Sequence, residues 1–102
     1  MGTEPSLEAL GAALRPLLPP GCRAFLIGSR AEGRASPTSD WDIGILGRDP
    51  LRGADLERIR QALEDLPTLH RFDVVDLASA PERFRERALE HAIELARAEG
   101  TR

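Results

Sequence analysis

The chain has 102 residues, 41% of them hydrophobic and 30% charged, and a formal net charge of −3. That length supports one modest core and reads as a single domain over 1–102, while the acidic balance argues against direct nucleic-acid binding, which rests on phosphate neutralisation. No apolar run reaches the roughly 18 residues that span a bilayer, the first residues lack a signal pattern, and a lone cysteine, Cys22, fits a reducing compartment. A cytoplasmic protein is expected.

Leu7, Leu10, Leu14 and Leu17 recur at helical spacing, with Pro5 placed as a first-turn proline. Pro16 disfavours a helical residue before it, so this helix should end or kink near Leu14. Pro19-Pro20-Gly21 reads as a turn, and Cys22 to Ile27 as a short, mostly buried strand ending at Gly28. Ser29 to Ser39 is small, polar and glycine-rich: a loop with room for one helical turn. Trp41 to Leu46 is the second strand, closed by Gly47-Arg48-Asp49-Pro50.

Leu56, Ile59, Leu63 and Leu66 line one face of a helix expected over roughly 54–65. Phe72 to Leu77 is a third, valine-rich strand. Ser79 and Glu82 have capping-box spacing before a last helix carrying Phe84, Ala88, Ala92 and Leu95 on one face. The order helix, strand, loop, strand, helix, strand, helix predicts an α/β (α+β) domain with a three-stranded sheet covered by helices.

The second strand poses a chemical problem. Aspartate is depleted in strands, and like charges on one face repel. Yet alternation puts Asp40 and Asp42 together, opposite Trp41, Ile43 and Ile45. If Phe72 and Val74 join the apolar side, Asp73 joins the two acids and Asp76 points away. Three adjacent carboxylates cannot all stay ionised alone: either one protonates or a divalent cation binds. Oxygen donors without a nearby histidine suit a hard ion such as Mg²⁺, which keeps positions open for water and phosphate. The Gly28-Ser29 turn offers backbone N–H groups and a hydroxyl where phosphate can sit.

Gly28-Ser29, ten residues, then Asp40-Trp41-Asp42 resembles the signature of the nucleotidyltransferase superfamily that includes DNA polymerase beta. The small-residue run Gly28-Ser29-Arg30-Ala31-Glu32-Gly33 and the acid in Phe72-Asp73-Val74-Val75 are similar to those of its minimal nucleotidyltransferases. The resemblance implies the nucleotidyltransferase fold with a small mixed sheet. It implies Asp40, Asp42 and Asp73 as catalytic metal ligands for two Mg²⁺ ions, and Gly28, Ser29 and Arg30 as the nucleotide-binding residues. It further implies transfer of a nucleotidyl group, AMP from ATP, to a hydroxyl of a small helical HEPN-type partner, as the antitoxin of a toxin–antitoxin pair and within a hetero-oligomer. The chain has no tyrosine, so a tyrosine acceptor would have to come from that partner.

Two positions depart from the family pattern. Glu32 stands where a basic residue is common, leaving Arg30 and Arg34 as substitutes. Gly44 replaces a bulky apolar residue, leaving space either for nucleotide or for close packing. The run Arg83, Arg85, Arg87 reads as a solvated helix face, and His70 and His91 as surface or packing residues. Two further readings stand beside the first: a noncatalytic nucleotide- or partner-binding module, and transfer to a small hydroxylated molecule.

Overall fold

The structure, a computed structural model, describes residues 4–98. Helix α1 spans Leu7–Leu14, and Ser6 caps it by accepting the Ala9 N–H at 3.0 Å. Pro5 therefore lies just outside the first turn. The chain tightens into a 3₁₀ turn at Arg15–Leu17, where Pro16 interferes with a continuing α-helix. Strand β1 (Arg23–Ile27) runs into a one-turn helix α2 (Gly28–Ala31), followed by β2 (Trp41–Leu46), α3 (Gly53–Glu64), β3 (Phe72–Asp76), α4 (Glu82–Glu90) and β4 (Ile93–Arg97).

The sheet is mixed and has four strands, ordered β3-β2-β1-β4. β1 is antiparallel to both β2 and β4, and β2 is parallel to β3 with α3 as the crossover. The fourth strand corrects the expected three-stranded sheet and the expected long last helix. Ala92 and Leu95 do not extend the face of Phe84 and Ala88; α4 stops at Glu90 and the chain returns along β1. Local propensity in Ala92-Ile93-Glu94-Leu95-Ala96-Arg97 favours helix, but β1 is buried along nearly its whole length. Pairing with β4 gives the outer N–H and C=O groups of this buried strand their partners. Pairing overrides propensity here.

Gly11 shows how closely this strand is held. A side chain there would fall on the Leu95 carbonyl, so the glycine lets α1 approach the β4 backbone. The capping box also fails: the Ser79 hydroxyl donates to Asp76 at 2.9 Å, and α4 begins after Pro81.

Both faces of the sheet are covered, unequally. The larger core lies under α1 and α3, where Leu10, Leu14, Ile59 and Leu63 meet Trp41, Ile43, Ile45 and Val74. On the other face Phe25, Ile27 and Leu77 form a small cluster against Ala88, Leu89 and Ala92. Gly44 faces this second cluster. A Cβ there would lie 2.7 Å from Leu77 Cδ1 and 3.3 Å from Ile27 Cδ1, so its space is already filled by packing and holds no room for nucleotide. Cys22 is buried and unpaired, with its thiol pushed up by burial and then by Asp76 and Asp55. No helix among the described residues is long and apolar enough to cross a membrane.

Candidate active site

α4 covers only part of its face, and the uncovered part is a cleft of about 500 Å³. Its floor is Ile27, Gly28, Asp42, Asp73 and Val75, from the ends of three neighbouring strands. Asp42 and Asp73 are register partners across the parallel β2–β3 ladder, so the pleat points both carboxylates the same way. Asp42 is half-buried and Asp73 exposed. Burial raises the Asp42 carboxyl above its ordinary range, and repulsion from Asp73 and then Asp40 raises it further.

Gly28 fixes the distance between the turn and the acids. Its φ is +76°, in the left-handed region, and a Cβ there would fall on the Asp42 carboxylate. Both constraints require glycine. Gly28→Ala is expected to cost about 1–2 kcal/mol in backbone strain alone, with a further loss from displacing Asp42. Thermal denaturation would show the drop, and a variant as stable as the parent would contradict the close approach. Ser29 follows in the first turn of α2, whose leading N–H groups have no intrahelical partners.

Asp40 and Arg30 stand elsewhere. Asp40 precedes β2 rather than belonging to it, so the pleat does not set its direction. It is exposed and lines a neighbouring recess with Thr38, Leu69 and His70, though it still contributes to the rise at Asp42. Arg30 turns to the opposite face. Its guanidinium lies 4.3 Å from the Trp41 ring centroid, donates to the Ser39 carbonyl at 2.8 Å and pairs with Glu4 at 3.3 Å. It straps the loop to the core, with its charge and fork engaged on that side. Arg34 is likewise engaged, 2.8 Å from Glu32.

Asp76 also leaves the acid cluster. Its carboxylate accepts the N–H groups of Leu51 (2.9 Å) and Ala78 (3.2 Å) as well as the Ser79 hydroxyl, tying the β2–α3 connection to the end of β3.

Sequence reasoning missed the cleft's second wall. Phe84, Arg87 and Ala88 line it from one face of α4, and His91 lines it from just past the end of the helix. The spacing of Phe84, Arg87 and Ala88 was present in the sequence, but alternating arginine and glutamate masked it as a solvated face. The Glu32 carboxyl on the rim is lowered chiefly by its bond to Arg34, with smaller effects from His91 and Arg87.

Among the described residues no group of three or more His, Cys, Asp or Glu side chains forms a ready-made metal cage. Two adjacent carboxylates, with His91 on the other wall of the cleft, fit a different arrangement, in which Mg²⁺ takes one or two carboxylates and completes its shell with substrate phosphates and water. The raised Asp42 carboxyl is consistent with that need for a counter-charge.

The family model for polymerase beta nucleotidyltransferases matches residues 22–99. The chain belongs to this family. This nucleotidyltransferase-family chain is 33% identical over 69 residues to the probable protein adenylyltransferase MntA of Haemophilus influenzae, a match covering 68% of this chain. It spans about three fifths of that relative's length (60%). Its fold superposes on a chain of a toxin–antitoxin crystal structure with AMP-PNP at a TM-score of 0.67 and 27% identity, over 82% of this chain and 67% of that one. A candidate minimal nucleotidyltransferase matches at a TM-score of 0.66 and 30% identity, over 85% of this chain and 86% of that one. The family's mixed α/β fold is thus the fold of this chain, with four strands rather than three.

Proposed function

We propose that the chain transfers AMP from ATP to a hydroxyl of a partner protein, a small helical HEPN-type toxin that it neutralises as antitoxin. The observation carrying this reading is the in-register pair Asp42 and Asp73 facing a cleft beside Gly28. A probable protein adenylyltransferase among the relatives and the toxin–antitoxin match with AMP-PNP support the substrate and the partner.

The chemistry follows from the two carboxylates. The acceptor oxygen bonds to the α-phosphorus while the bond to the β-phosphate breaks, and pyrophosphate leaves with the electron pair. Mg²⁺, held by Asp42 and Asp73 with Asp40 in the neighbouring recess, would supply charge neutralisation at the phosphates when bound. In this reading Asp73, the exposed carboxylate, takes the acceptor's proton. Asp42, half-buried against Gly28, fixes how close the phosphates come to the turn. Ser29 and the leading N–H groups of α2 hold the phosphate oxygens. With no tyrosine in the chain, a tyrosine acceptor is supplied by the partner.

The test is transfer of α-³²P-labelled AMP from ATP to a co-expressed small helical HEPN-type protein in the presence of Mg²⁺. Label on the partner that disappears with EDTA is the expected result. A tight complex that binds ATP and never labels the partner would instead establish a noncatalytic binding module.

A further inference from the structure

We propose that Arg87 on α4 binds the terminal phosphates of the nucleoside triphosphate, an inference that rests on the nucleotide reading of the cleft. The cleft presents Asp42, Asp73, Glu32 and Glu90 against two basic groups, Arg87 and His91. A triphosphate brought there adds more negative charge than cations at the acids alone would balance. A fixed positive side chain opposite them is needed.

Elimination selects Arg87. Arg30 is spent on Ser39 and Glu4 across the sheet, and Arg34 on Glu32. Arg85 donates to the carbonyls of Leu77 (3.2 Å) and Ala80 (3.4 Å) at the start of α4. His91 lies 3.8 Å from Glu90. Arg87 lines the cleft, is exposed, and makes no ion pair with a carboxylate among the described residues. Its planar fork matches two phosphate oxygens at once, which an ammonium does not. Gly28 lines the same cleft. The helix supplies what the loop, with Glu32 where a basic residue is common, does not.

The experiment is calorimetric titration of the full chain with ATP and separately with AMP, both with Mg²⁺. AMP lacks the β- and γ-phosphates and so reports the rest of the site. Arg87→Ala is expected to weaken ATP binding roughly tenfold to a hundredfold, the scale of one charge-assisted pair, and to leave AMP binding unchanged. Arg87→Lys should recover part of the loss. Arg83→Ala, which removes an exposed arginine of α4 outside the cleft, should bind ATP as the parent does. Unchanged ATP affinity in Arg87→Ala, equal weakening of ATP and AMP, or an equal loss in Arg83→Ala overturns the assignment while the nucleotide reading stands. A parent chain that binds neither nucleotide overturns both.

Discussion

Asp42→Asn is expected to abolish AMP transfer and, at neutral pH, to make the protein more stable. The two effects share one cause. Burial and the neighbouring acids raise the Asp42 carboxyl in the folded state. An acid whose folded value lies above its unfolded value of 3.8 destabilises the fold when ionised. That penalty is absent below the unfolded value, grows as pH rises through it, and is complete above the folded value. Asparagine removes it, so the variant's melting temperature should exceed the parent's by a few degrees at pH 7. The gap should close as pH falls below the ordinary aspartate range. On the proposed function transfer should drop by at least about a hundredfold, because a neutral amide would hold a divalent cation far more weakly than the carboxylate. Calorimetric melting at several pH values, with the labelling assay on the same preparations, checks both. A variant that transfers normally, or one less stable than the parent at pH 7, would refute the link between burial and function at this acid.

Strand alternation made Asp42 and Asp73 legible in the sequence, because a period of two leaves only two faces and the apolar residues choose one. Gly28 was legible for the same reason a tight turn usually is: it ends an apolar run. What lay outside the pleat was harder to read. Asp40 sits one residue before β2, so no periodicity governs it, and the structure puts it in the neighbouring recess. Arg30 follows Ser29 directly and could have turned to either side; the face of Trp41 and the Ser39 carbonyl hold it on the far one. Segment 93–97 is composed of good helix formers, and only the unsatisfied edge of β1 makes it a strand. The wall of Phe84, Arg87 and His91 depends on that same strand. Ending α4 at Glu90 to form β4 sets which of its faces looks into the cleft. The strand at 93–97 is a tertiary constraint that local propensity does not record. Gly11 was the one local hint, a helix glycine whose reason is the backbone of β4.

Asp73 and Asp76, three residues apart on one strand, should separate activity from stability completely. Asp73 is exposed, faces the cleft and is the register partner of Asp42. Asp73→Asn should therefore fold as well as the parent, with relief of repulsion at Asp42, while transfer falls at least about a hundredfold. Asp76 holds two backbone N–H groups and the Ser79 hydroxyl. Asp76→Ala leaves the Leu51 N–H in a partly buried position without its acceptor and frees the connection between β2 and α3. The expected cost is about 2–4 kcal/mol, or a fall of roughly 10–20 °C in melting temperature for a domain of this size. Asp76→Asn should lose less, since the amide oxygen can still accept one of the bonds. Transfer per folded molecule should survive in both Asp76 variants when assayed well below their melting temperatures. The measurement is one melting curve and one labelling time course for each protein, with the partner as acceptor. Full transfer by Asp73→Asn, or its loss in folded Asp76→Asn, would mean that the reacting groups lie on the other face of β3. Arg87 and Gly28 would then have no phosphate to hold.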